Sequence, residues 1–123
     1  MKAIVFSITD PADKDLIIIE YSDIRRGGVT SVKHRVRGAH QRAQTDEAGV
    51  VAAIENVPGE TQRDIAKILA NHIVKDWMPE AFEASVKDDT GQLVVKCTGL
   101  VPDVKFKAFV EGGGSTKIEM MEF

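Results

Sequence analysis

The chain has 123 residues, 43% hydrophobic and 28% charged, with a net charge of −3 and a pI near 5.6. A chain of this length forms one domain, residues 1–123, and buries enough surface for a core without covalent staples. The acidic balance gives no global attraction to nucleic acid or to an anionic membrane. A single cysteine, Cys97, rules out an intrachain disulfide, and a reducing compartment is expected.

The N-terminal "MKAIVFSITDP" has no long apolar core and no small-residue cleavage site, so a signal peptide is not expected. No apolar run approaches the roughly 20 residues that span a bilayer. A soluble protein made in the cytoplasm is expected. Residues 3 to 9, "AIVFSIT", alternate as a strand with Ile4, Phe6 and Ile8 on one face. The turn cluster "DPADKD" follows. Residues 16 to 21, "LIIIEY", are apolar on both faces, the mark of a central strand. After "IRRGG", the segment "VTSVKHRVR" alternates again, with Val32, His34 and Val36 opposed to Ser31, Lys33, Arg35 and Arg37. The polar stretch "GAHQRAQTDEAG" has weak patterning and is expected to be loop, with at most the end of a strand. "VVAAIENV", residues 50 to 57, is short, β-branched and stopped by Pro58, so it is expected to be a strand.

"NVPGETQRDIAKILANHIVKDW" carries the helix. Thr61 is placed as its N-cap and Asp64 as the capping-box partner. Glu60 and Asp64 put negative charge where the helix dipole favours it. Ile65, Ile68, Leu69, His72, Ile73 and Trp77 form one stripe, with Arg63, Lys67, Asn71 and Lys75 opposite. Pro79 ends the helix and pushes Met78 out of the α region. Period-two patterning then returns. Phe82, Ala84 and Val86 pair through a "KDDTGQ" hairpin loop, with Gly91 at the unusual dihedral, to Leu93, Val95 and Cys97. "LVPD" turns the chain, Val104, Phe106, Ala108 and Val110 point inward, "EGGGS" makes a flexible turn, and "TKIEMMEF" closes as a last strand. The fold class expected is α+β: an antiparallel β-sandwich or curled sheet of about eight strands with one packed α-helix.

The sequence offers no catalytic constellation. His34, His40 and His72 have no metal-ligand spacing to Cys97 or to each other, and HExxH, CxxC and GxSxG are absent. His72 on the apolar stripe reads as a half-buried core residue. "EGGGSTK" lacks the lysine placement and following helix of a phosphate loop, so a mobile hairpin tip is the better reading. Asp88 and Asp89 are explained by turn chemistry, and Cys97 by core packing. No enzyme activity, cofactor or metal is expected.

Charge is concentrated in residues 25 to 42. Arg25, Arg26, Lys33, Arg35, Arg37 and Arg42 lie there with no acidic residue between Arg25 and Arg42. On a strand, Lys33, Arg35 and Arg37 project from one face roughly 6.6 Å apart. Such a row needs solvent or an acidic partner. The six cations are the candidate interaction residues. A solvated sheet face ranks first and an acidic protein surface second. Nucleic acid ranks last, because no aromatic side chain is interleaved to stack on bases.

From Val57 to Gly112 the pattern "PGETQRDIAKILANHI", then "FEASVKDDTGQLVVKCTG", then "VKFKAFVEGG" resembles bacteriophage virion proteins of the tail-tube and tail-sheath type. In those proteins a strand enters a "GDT"-like turn, an "AxxLAxxI" helix and a small hairpin. Gly59, Glu60 and Thr61 stand for the turn, and Ile65, Ala66, Leu69, Ala70 and Ile73 for the helix pattern. The resemblance implies a non-enzymatic, tail-associated building block in the virion, made in the host cytoplasm. Such a subunit would join copies of itself or other virion proteins through edge strands and loops. Capsid decoration is the nearest variant of that role. A small nucleic-acid or effector-binding module using the basic strand 33–37 is the alternative from another class.

Overall fold

The structure, a computed structural model, describes residues 2–23, 27–77, 79–87, 90–98 and 104–122. It is α+β, with nine strands and one helix among these residues. Five strands precede the helix: β1 (Lys2–Thr9), β2 (Leu16–Asp23), β3 (Val29–Arg35), β4 (His40–Thr45) and β5 (Val51–Val57). Helix α1 (Gln62–Asp76) is followed by β6 (Phe82–Lys87), β7 (Gln92–Cys97), β8 (Val104–Glu111) and β9 (Lys117–Glu122).

All strand pairs are antiparallel. One sheet has the order β6-β7-β1-β9 and a second the order β3-β2-β8. The chain passes from one sheet to the other at β1 to β2, β7 to β8 and β8 to β9, and from β3 to β6 by way of β4, β5 and α1; β8 lies beside β9 where the sheets meet. On the open side, α1 packs on β6, β7 and β1 of the first sheet and on β3 of the second. The helix therefore plugs a curled pair of sheets.

Strand alternation selects the core side chains. Ile4, Phe6 and Ile8 of β1, Ile17 and Ile19 of β2, and Leu93, Val95 and Cys97 of β7 are buried together with Ile65, Leu69 and Ile73 of α1. Each fully buried aliphatic side chain of this stripe contributes roughly 2 kcal/mol. As expected of a central strand, β2 is buried on both faces: Ile18 is also enclosed, in register with Lys33 on one side and Phe109 on the other. The amphipathic stem of Lys33 can cover Ile18 while its ammonium stays in water.

The helix start matches its sequence signals. The Thr61 hydroxyl accepts from Asp64 N–H, and the Asp64 carboxylate accepts from Thr61 N–H. That second bond, with the Thr61 hydroxyl, holds the Asp64 carboxyl below its usual range. Trp77 caps the other end in an extended conformation. His72 is half-buried. Gly91 has φ 69°, as the hairpin turn requires. Met78, the loop residues Asp88 and Asp89, and the 99–103 turn lie outside the described residues.

Two expectations need correction. The stretch from residue 38 to 49 is not mainly loop. Its His40–Thr45 segment is a strand, β4, which pairs with β5 alone to form a separate two-stranded sheet. The described residues thus hold nine strands, in keeping with the expected fold of about eight. The "EGGGS" turn is tied down rather than free. Gly114 N–H and Thr116 N–H donate to the carboxylate of Asp15, which is only 2% exposed. Ser115 Oγ donates to the Asp10 carbonyl, and Ala12 N–H donates to Thr116 Oγ1.

Asp15 also yields a pH prediction. The Thr116 hydroxyl and the amides of Thr116 and Gly114 hold its carboxyl below the usual range, against the opposing effect of burial. A depressed folded-state pKa stabilises the fold above the unfolded-state value and loses that effect as pH falls through the folded value. Asp15→Asn should therefore lower the urea midpoint at neutral pH, and the gap to the parent should close below about pH 4. A gap that stays constant down to strong acid would show that the anion does not hold the turn.

Candidate interaction surfaces

The six candidate cations do not form one stripe. Arg25 and Arg26 lie outside the described residues. Lys33 and Arg35 are exposed on the outer face of β3, in register with Ile18 and Leu16 of β2 rather than with acids. Arg35 donates from Nη1 to the Lys14 carbonyl at 2.8 Å. Arg37 stands beyond the end of β3 and lines a groove. Arg42 belongs to β4, where its guanidinium meets Glu55 Oε2 at 2.6 Å. The sequence row of like charges is broken because the strand ends at Arg35 and the chain leaves the sheet.

It leaves as a hairpin. β4 and β5 pair from His40–Val57 out to Thr45–Val51, with a register shift between Gln44 and Thr45. Every residue of β4 is exposed, and so is most of β5. At about 3.3 Å per residue the six paired residues of β4 make an arm roughly 20 Å long. Its two faces differ. One carries Arg42, Gln44 and Glu55, in which Gln44 Nε2 also donates to Glu55 Oε2 at 3.0 Å. These bonds, first that from Arg42, hold the Glu55 carboxyl below its usual range. The opposite face carries the register pair Ala43 and Ile54. The turn is closed by Asp46, whose Oδ1 accepts from Ala48 and Val50 N–H. Val50, Val51 and Ile54 are 61%, 56% and 65% exposed.

The root of the arm is fixed to the body. Glu60 N–H donates to the Arg37 carbonyl, and Arg37 N–H donates to Glu60 Oε1 at 2.6 Å. His34 Nε2 lies 3.0 and 3.1 Å from the two oxygens of Glu60, with both side chains largely covered. Gly38 N–H donates to Asp13 Oδ1. Glu60 thus joins the end of β3 to the entry of α1, and the hairpin emerges between them. Two grooves adjoin this root, and Val57 and Pro58 line both. The first, about 430 Å³, is lined by Ala39, His40, Gln41, Asn56, Val57 and Pro58. The second, about 400 Å³, has Val57, Pro58 and Ile68 as its apolar part, with Arg37, Lys67, Glu60 and Asp64 around them.

The remaining chemistry-bearing groups are dispersed. Among the described residues no group of His, Cys, Asp and Glu is placed to hold a metal ion. Burial raises the Cys97 thiol above its usual range, so little thiolate forms at neutral pH. No helix among the described residues is long and apolar enough to cross a membrane. Compared with protein-family models, curated proteins and solved structures, the chain matches none at a significant level.

The sequence reading missed the arm as a unit. A signal for it was present: "DEAG" is a turn between two segments, "HQRAQT" and "VAAIENV", that could pair across it. Neither segment shows the apolar alternation of a strand packed on a core, because neither packs on one.

Proposed function

We propose that the chain is a non-enzymatic bacteriophage virion structural protein, tail-associated, that assembles with copies of itself or with other virion proteins through its hairpin arm and edge strands. The observation that carries this reading is the arm. A two-stranded hairpin is marginal in water by itself, and this one keeps Val50, Val51 and Ile54 in solvent. A rooted, extended element with apolar side chains at its tip suits a surface supplied by a neighbour. The tail-protein resemblance of residues 57 to 112 supports the same class of role. The arm would serve a capsid decoration subunit equally well, and such a subunit works by the same docking chemistry.

Light scattering and sedimentation over a wide concentration range, followed by electron microscopy, test the reading. Ordered assembly with rising concentration, or a stable complex with a virion structural protein, is expected. A strictly monomeric chain that binds no virion component defeats it.

A further inference from the structure

We infer that the arm tip of one copy seats in the groove beside the arm root of a second copy. The inference rests on the assembly reading above and names its contact. Glu60 is already engaged by His34 and by Arg37 N–H, and Asp64 by Thr61 N–H. Arg37 and Lys67 form no ion pair among the described residues. The groove's acids are thus held by hydrogen bonds within the chain, whereas Lys67 acts on Asp64 through charge alone and the Arg37 guanidinium has no ion-pair partner among the described residues. Val57, Pro58 and Ile68 line the same groove.

The tip carries the complement. Glu47 is exposed and makes no hydrogen bond or ion pair among the described residues. Asp46 adds a second negative charge while closing the turn. Val50 and Val51 supply exposed apolar surface next to these acids. Acid would meet Arg37 and Lys67, and valine would meet Ile68, Val57 and Pro58. Opposite charge at such a contact fixes partner and register.

A chain cannot make this contact with itself. Tip and root are opposite ends of one paired hairpin roughly 20 Å long. The occupant is therefore another copy, and the contact is head-to-tail. Each copy gives one arm and receives one, which closes as a reciprocal two-fold pair or a larger ring, or extends as an open filament. One tip in one groove is a small contact, and closure of a ring makes many such contacts act together.

Charge reversal tests the seat. Glu47→Lys and Lys67→Glu each change an exposed side chain, and far-UV circular dichroism checks that both variants fold. Each single variant should raise the concentration at which copies associate about ten-fold, and the double variant should recover most of the parent's association. Val50→Ser should weaken association in the same direction. Association that is unchanged in both single variants, or that is lost in both and not recovered in the double, overturns the seat while leaving the assembly reading intact. A parent chain that stays monomeric at every concentration removes both. Loss of binding to a different virion protein in Glu47→Lys, with self-association unchanged, also overturns the seat.

Discussion

Trp77→Ala should cost about 3–5 kcal/mol of folding stability, a large share of what a domain of this size has to lose. Trp77 is 2% exposed and sits where the helix meets both sheets. Its ring centroid lies 4.7 Å from that of Tyr21 on β2, 5.1 Å from Phe82 at the start of β6 and 6.3 Å from Phe106 on β8. Tyr21 and Phe82 are themselves 4.6 Å apart. Removing the indole opens a cavity that three separate strands would have to collapse into. The indole Nε1 is buried with no hydrogen-bond partner among the described residues. A buried N–H left unpaired costs about 1–3 kcal/mol, so Trp77→Phe discards that cost and keeps most of the ring contact. Its net effect should stay below about 1.5 kcal/mol. Urea unfolding followed by circular dichroism suits both variants, because Trp77 is the only tryptophan and its fluorescence is lost with it. A Trp77→Ala effect below about 1 kcal/mol would mean that the aromatic cluster does not close the core.

The three glycines of the "EGGGS" turn should respond unequally to alanine. Gly112 has φ 139°, and a Cβ there would strike Asp15 Oδ1. A Cβ on Gly114 would come within 2.5 Å of Asp15 Oδ2 and 2.7 Å of Ala12 Cβ. Asp15 cannot swing aside without breaking its bonds to Gly114 and Thr116. Gly112→Ala and Gly114→Ala should each destabilise by about 2 kcal/mol, from backbone strain in the first and a clash with a fixed side chain in both. Gly113 has nothing within 4 Å of its would-be Cβ and no positive φ. Gly113→Ala should be neutral, or stabilising by up to about 1 kcal/mol through the unfolded chain. Equal urea midpoints for the three variants would show that Asp15 does not shape the turn.

Local signals and periodicity were enough for the body of the protein. Alternation in β1, β6, β7 and β8 named the buried side chains, because a strand with one face on a core must repeat every second residue. The stripe from Ile65 to Trp77 and the Thr61–Asp64 capping box gave the helix and its start, since both depend on neighbours three and four residues away. The uninterrupted "LIIIEY" marked β2 as central because both its faces are covered. These features lie within one element, so the sequence by itself contains them.

What the tertiary structure alone decided depends on residues far apart. The acid that pins "GGG" is Asp15, about a hundred positions from Thr116, and no local pattern pairs them. Glu60 reaches back to His34 and Arg37, which sets where the hairpin departs. The basic segment looked continuous along the chain, yet Lys33 and Arg35 face one way, Arg37 lines a groove, and Arg42 is neutralised by Glu55 across the hairpin. Whether "HQRAQT" is loop or strand was decided by its partner strand and not by its own residues, because a hairpin with no core beneath it has no apolar period to display. For the elements packed on the core, type is set by short-range chemistry. The surfaces that give this protein something to dock with are set by which elements the fold leaves uncovered.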